Sequence, residues 1–277
     1  MSIVALINQK FADEHGAPLV MGIFNATPDS FSDGGKFTVQ NKMQAQVEAM
    51  IKDGADIIDV GGESTRPGAQ PVSVQEELDR VMPVIEFITA NFDVPVSVDT
   101  YKTAVMRAAI AAGSKIVNDV NALQDLGAAE LVAQTGVSVC LMHKQGGFTD
   151  MQNKPQYHNV VDDVTEFLLK RAKACEHAGI NADNIVLDPG YGFGKTLEHN
   201  LALFEHLDHF VNLPYPVLVG VSRKSMIGQL LGDVPVEDRM VGSVAAAMLA
   251  TLKGAKILRV HDVKPTVEAL RVTLALL

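Results

Sequence analysis

Val94-Pro95-Val96-Ser97-Val98-Asp99-Thr100 is a short apolar run that stops at a carboxylate, and the same pattern recurs along the chain. Val20–Phe24 ends at Asn25, Ile57–Val60 leads to Glu63, Ile116–Val117 ends at Asn118 and Val137–Met142 ends at His143. Ile185–Leu187 ends at Asp188, Pro216–Val221 at Ser222, and Ile257–Val260, which carries Arg259, at His261. Short apolar runs bounded by turn residues read as buried strands, and strands alternating with helical stretches build a parallel sheet. Eight such units close a barrel whose working residues sit at the carboxyl ends of the strands. The expected fold is therefore α/β, a single (β/α)8 TIM barrel over residues 20–277 behind a short N-terminal extension, residues 1–19.

Helical periodicity fills the intervals, among them Val39–Asp53, Val74–Ala90, Val160–His177, Glu198–Phe210 and Lys264–Leu276. Gly54, Gly113, Gly136, Gly179 and Gly254 follow such stretches and read as helix stops. The extension is expected to form a short hairpin over the barrel bottom. Two connections, Ala26–Thr38 and Gly61–Pro71, run long and lie where a barrel places loops over its mouth.

The 277 residues carry a formal charge of −10, which argues against a nucleic-acid surface. A small anion can still be held by a local group such as Arg66, Lys224 and Arg259. No apolar run approaches a membrane span, and the start Met1-Ser2-Ile3-Val4 lacks the marks of a signal peptide, so a cytoplasmic location is expected. Cys140 and Cys175 fall in a strand and a helix pattern and read as buried thiols.

Asp99 and Asp188 stand at strand ends with Asn118 between them in barrel order. A carboxylate accepting two parallel N–H bonds recognises a guanidine-like edge, and an amide beside it donates and accepts, a set that suits an aminopyrimidinone ring. Paired carboxylates also serve glycosidases, but a chain without Trp is poorly supplied with a sugar platform. The run from Asp188 to Thr196 ends in Gly-Lys-Thr, yet Pro189 stands where a P-loop needs its first Gly. Its glycines are expected to bring backbone close to a flat ligand, with Phe193 as a wall. Ser222-Arg223-Lys224-Ser225 follows the seventh run, a barrel position suited to phosphate or polar ligands. Arg259 and His261, two apart on a strand, face the same way and with Arg66 and Asn25 would make an anion site. His143 reads as structural, and His199, His206 and His209 as a solvated helix face.

These motifs, in order, resemble the dihydropteroate synthase family from about Val20 to the C-terminus. Asn25-Ala26-Thr27-Pro28-Asp29-Ser30-Phe31-Ser32-Asp33-Gly34-Gly35 looks like its first signature. Asp59-Val60-Gly61-Gly62-Glu63-Ser64-Thr65-Arg66-Pro67-Gly68 looks like its second, and the strand ends named above match the rest. Lys144 departs from the family, which more often carries Met after the His. The resemblance implies condensation of 6-hydroxymethyl-7,8-dihydropterin diphosphate with 4-aminobenzoate, with Mg²⁺, in a cytoplasmic homodimer open to sulfonamides. It implies pterin contacts from Asp99, Asn118, Asp188 and Lys224, and diphosphate contacts from Asn25, Thr65, Arg66, Arg259 and His261, with Asn25 on the metal. Phe31, Pro67, Phe193 and Ser222 would frame the aminobenzoate, Asp33 would serve loop closure, and Asp99, Lys224, Arg259 and His261 would carry the catalysis. Two other readings share a pterin-binding barrel: a methyltetrahydrofolate-dependent corrinoid methyltransferase, and a catalytically silent paralogue.

Overall fold

Side chains alternate between the two faces of a strand, so each strand of a closed sheet sends one set inward and the other out against helices. This computed structural model, which describes residues 1–14, 16–26, 36–64, 70–147, 151 and 155–277 with the side chains of 36–39 excepted, sorts the apolar runs in that way. The strands are β1 (Leu19–Asn25), β2 (Ile57–Gly61), β3 (Val96–Asp99), β4 (Ile116–Asp119), β5 (Ser138–Met142), β6 (Ile185–Asp188), β7 (Leu218–Val219) and β8 (Ile257–Val260). All pair in parallel in the order β6-β5-β4-β3-β2-β1-β8-β7, and a bridge between Leu187 and Val217 brings the two edges together. The expected eight-stranded barrel is the observed one.

Two apolar clusters follow from the alternation. Val20, Ile58, Val60, Val98, Val117 and Leu258 belong to the outer one, packed against the surrounding helices. The inner one holds Leu19, Met21, Ile57, Ile116, Cys140, Val186, Leu218 and Ile257. Two residues further along β2, β4, β6 and β8, the same inward positions are Asp59, Asn118, Asp188 and Arg259. Apolar filling thus gives way to polar side chains within one step of the strand repeat.

The helices that carry the chain between strands are α2 (Lys36–Lys52), α3 (Val74–Asn91), α4 (Thr103–Ala111), α5 (Ala128–Thr135), α6 (Val160–His177), α7 (Leu197–Glu205), α8 (Leu207–Val211), α9 (Ser225–Leu230), α10 (Met240–Leu252) and α11 (Val263–Ala275). The expected helix over Glu198–Phe210 is two, because His206, with ψ 28°, interrupts it between α7 and α8.

The N-terminal segment corrects the expected hairpin. It forms a helix, α1 (Ile3–Asp13), capped by Ser2, whose hydroxyl accepts from the Ala5 N–H. Ile3 and Ile7 lie one turn apart, and both enter the inner cluster. The Ile3 N–H, one of the donors a helix start leaves open, is taken by Ser138 Oγ at 3.1 Å. The helix therefore plugs the end of the barrel opposite the polar strand ends.

Truncating the plug tests this packing. Ile7→Ala should lower unfolding free energy by about 2–5 kcal/mol in urea titration while leaving turnover intact. A loss below about 1 kcal/mol would show that α1 does not help to fill the barrel.

Candidate functional site

Arg259 on β8 reaches across the mouth and joins strands far apart in sequence. Its Nε donates to Asp59 Oδ2 and its Nη2 to Asp99 Oδ2, each at 2.6 Å. Asn118 Nδ2 donates to the same Asp59 oxygen at 3.1 Å. Asp59 is fully buried, and its other oxygen, Oδ1, has no hydrogen-bond partner among the described residues. One carboxylate thus orients both an arginine and an amide that sequence reasoning had assigned to ligands.

Sequence reasoning missed Asp59 as a site residue. It sits inside an apolar run rather than at its end, but the signal was its phase, two residues after inward-facing Ile57. Glu63, the terminator chosen for that strand, is turned to another use. With Glu77 it binds Lys102 Nζ, which also donates to the Val72 carbonyl at 2.8 Å, and it accepts from the Tyr101 hydroxyl at 3.0 Å. This cluster ties Glu63, near the start of the Gly61–Pro71 connection, and Val72 and Glu77, beyond its end, to the start of α4.

The charges at the mouth are far from their ordinary protonation ranges. Burial pushes the Asp99 carboxyl up to about 7, against the pull of Arg259 and with help from Asp59, Glu77 and Asp119. Burial likewise raises Asp188, opposed by Lys224. Burial lowers Lys224 to about 8, with Asp188 resisting the shift. For Arg259 burial disfavours the charge, but Asp59 and Asp99 more than offset it and hold the guanidinium firmly protonated.

Lys224 stands at the N-terminus of α9, donates to the Tyr191 carbonyl at 2.5 Å and lies 4.7 Å from the centre of the Phe193 ring. The expected wall and the expected ammonium are therefore in contact. Ser222 is buried; its Oγ accepts the His261 N–H and lies 3.1 Å from His261 Nδ1. Arg223 adopts φ 56°, a left-handed conformation that only specific contacts hold in a non-glycine residue. Its guanidinium forks onto Asp262 at 2.8 and 2.7 Å, and its N–H donates to Ser243 Oγ. These bonds lock the β7 exit to the β8 exit and so place Ser222, Lys224 and His261 around one rim.

On the β6 side, Asp188 Oδ1 accepts the Gly190 N–H at 2.7 Å. His143 is buried with its pKa lowered to about 2 by burial and by Lys195, so it is a neutral structural histidine, as its sequence setting suggested. Lys195 is not an exposed phosphate ligand of a P-loop: it is buried and turned toward His143. His206 and His209 are exposed and His199 half-buried, with its ring edge-on to Tyr157 at 4.9 Å.

Asn25 ends β1 with its side chain exposed. Among the described residues no three His, Cys, Asp or Glu side chains converge on a metal position. A single amide oxygen fits a magnesium ion that arrives largely coordinated by phosphate oxygens, which is the usual habit of that ion. Phe31, Asp33, Thr65, Arg66 and Pro67 lie outside the described residues.

Eight parallel strands carry a polar inner layer of carboxylates, amide and arginine at one end, and the pterin binding enzyme family matches residues 21–261, so the chain is an α/β barrel of the pterin-binding class. The chain is 52% identical over 255 residues to the dihydropteroate synthase of Haemophilus influenzae, covering 92% of each. The Xanthomonas albilineans dihydropteroate synthase with 4-aminobenzoic acid superposes with a TM-score of 0.88 at 50% identity, covering 94% of this chain and 93% of that one. The Yersinia pestis dihydropteroate synthase in complex with a sulfonamide drug also has a TM-score of 0.88 at 50% identity, covering 94% of each chain. This chain belongs to the dihydropteroate synthases.

Proposed function

We propose that the chain condenses 6-hydroxymethyl-7,8-dihydropterin diphosphate with 4-aminobenzoate, releasing diphosphate and giving 7,8-dihydropteroate for folate synthesis. The observation that carries this reading is the polar layer directly above the barrel's apolar filling, in a chain half identical to dihydropteroate synthases. In this reading Asp188 accepts two N–H groups of the pterin ring, and Asn118, Asp99 and Lys224 complete its rim. Arg259 and His261, with Thr65, Arg66 and Asn25, take the diphosphate. Phe193 and Ser222, with Phe31 and Pro67, frame the aminobenzoate, and Asp33 belongs to the closing loop.

The chemistry needs no protein nucleophile. The bond between the exocyclic carbon and the diphosphate oxygen breaks, and its electron pair leaves with diphosphate. The ring electrons of the dihydropterin stabilise the resulting positive carbon, so the most useful service is stabilising the negative charge that grows on the leaving group. Arg259, whose charge is secure at any working pH, supplies that service. Asn25 would hold a magnesium ion that, when bound, would add charge neutralisation at the leaving group. The aminobenzoate nitrogen then forms the new bond to the carbon and releases one proton. A weak aryl amine suffices when it is held close in a pocket cleared of water.

A sulfonamide imitates aminobenzoate and competes at the same subsite. The polypeptide works in the cytoplasm; among the described residues no helix is long and apolar enough to cross a membrane. It works as a homodimer, for which α10 offers the surface. Val241, Ala245, Leu249 and Leu252 are exposed along one side of that helix, and Val272 is exposed on α11, the next helix in the chain. An exposed apolar stripe of this kind marks an interface, and a two-fold axis would pair it with itself.

Diphosphate release with both substrates, and not with either alone, tests the reaction; pterin binding without turnover would overturn it in favour of a silent paralogue. In the same assay Arg259→Ala should lower kcat/KM by about tenfold to more than a hundredfold, because the lost contact is charge-assisted and strengthens as the bond breaks. Unchanged kinetics in that folded variant would remove Arg259 from the leaving-group site.

Sedimentation velocity tests the assembly. Wild type should run as a dimer and the Val241→Asp, Leu249→Asp double variant as a monomer. A wild-type monomer, or a dimer that survives both charges, would contradict the interface.

A further inference from the structure

Gly194-Lys195-Thr196 imitates a phosphate loop, but its lysine is buried and turned inward, and nothing in the reaction above uses it. Lys195 Nζ lies in a cage of acceptors. His143 Nδ1 is 2.9 Å away, the Gly190 carbonyl 2.9 Å, the Phe193 carbonyl 3.1 Å and the His143 carbonyl 3.4 Å. Burying an amine is costly, and a methionine would fill the same space without that penalty. Burial pushes the Lys195 pKa down and Asp188 works against the shift, while the surrounding acceptors favour the protonated amine, whose three N–H groups they receive. The amine is explained by what it connects.

It connects the exits of β5 and β6, whose backbones touch there. A Cβ on Gly190 would meet the His143 carbonyl oxygen at 1.9 Å, and one on Gly194 the Gln145 carbonyl oxygen at 2.3 Å. Both glycines have positive φ, 70° and 63°, so the turn depends on them for shape as well as for closeness. Lys195 grips this turn from within. The Gly190 residue it holds by the carbonyl is the one whose N–H donates to Asp188 Oδ1. The Phe193 residue it holds by the carbonyl is the one whose ring meets Lys224.

We propose that Lys195 is a positioning residue of the pterin subsite: by donating to Gly190, Phe193 and His143 together, it fixes the turn that aims Asp188 and stands Phe193 against Lys224. The inference rests on the reading of Asp188 as the pterin discriminator given above. It makes Lys195 act through Asp188 and Phe193, without touching substrate. Loss of its bonds should therefore weaken the pterin and leave the leaving-group side, which belongs to β8, largely as it was.

Calorimetry with 7,8-dihydro-6-hydroxymethylpterin, and separately with inorganic diphosphate and Mg²⁺, tests this on wild type, Lys195→Met, Asp188→Asn and the double variant. Lys195→Met should weaken the pterin by about tenfold or more while diphosphate binding changes by less than about threefold. In the Asp188→Asn background the same substitution should add little, because the carboxylate it aims is already gone. Lys195→Gln, which retains a donor, should show the same pattern at smaller amplitude and serves where the methionine variant is not recovered folded. Native pterin affinity in a folded lysine variant, equal losses for both ligands, or fully additive effects with Asp188→Asn would each overturn the proposal. Failure of wild type to bind the pterin at all would instead strike the functional reading on which it rests.

Discussion

A guanidinium held between one buried and one partly buried carboxylate organises the mouth of this barrel. Arg259 reaches from β8 to Asp59 on β2 and Asp99 on β3, and Asp59 in turn holds Asn118 on β4. Four strands are tied by side chains above the level where apolar packing ends. Removing one partner of such a cluster leaves a buried charge uncompensated, at a cost of about 3–5 kcal/mol, so its geometry is strongly enforced. The Asp99 oxygen that binds Arg259 belongs to a carboxylate that the pterin reading also assigns to the ring. On that reading, occupation of the two proposed subsites is linked through a single side chain.

The rest of the mouth is built around that fixed cluster by short connections. Ser222 accepts from His261, and Arg223 forks onto Asp262, so the β7 and β8 exits move as one unit. Lys195 does the corresponding work between β5 and β6. On the remaining side, Lys102 binds Glu63, Glu77 and the Val72 carbonyl beside the Gly61–Pro71 connection. Rigid strand ends supply most of the proposed pterin contacts, and the two long connections supply residues proposed for the other substrate and the diphosphate.

Strand ends were legible in the sequence because a buried strand advertises itself twice, by its apolar run and by the polar residue that breaks it. Asn118 and Asp188 fall at positions where that signal and the strand alternation agree, whereas Arg259 lies inside its run and was read from its charge and its period-two spacing to His261. Asp59 was hidden because the run continues past it with Val60, which faces the outer cluster; only its phase relative to Ile57 marks it as inward. Glu63 misled for the opposite reason, since a carboxylate after a strand looks available until its tertiary partner Lys102 is known. Lys195 was passed over because its likeness to a P-loop fails at Pro189 and its motif is local, whereas its four acceptors come from two loops. The helix α1 was misread because Ile3 and Ile7 acquire their purpose only from the open end of a barrel that no local pattern displays.

The pH dependence of kcat/KM tests the central cluster most directly, because that profile reports groups of the free enzyme. Asp99, pushed up to about 7, must lose its proton to act as the anion that binds Arg259 or the pterin, so activity should rise with pH through that value. Lys224, lowered to about 8, must keep its proton, so activity should fall above that value. The account predicts a narrow bell between these limits, whose acid limb disappears in Asp99→Asn. A wild-type profile flat from about pH 5 to 9, or an acid limb unchanged in Asp99→Asn, would contradict it.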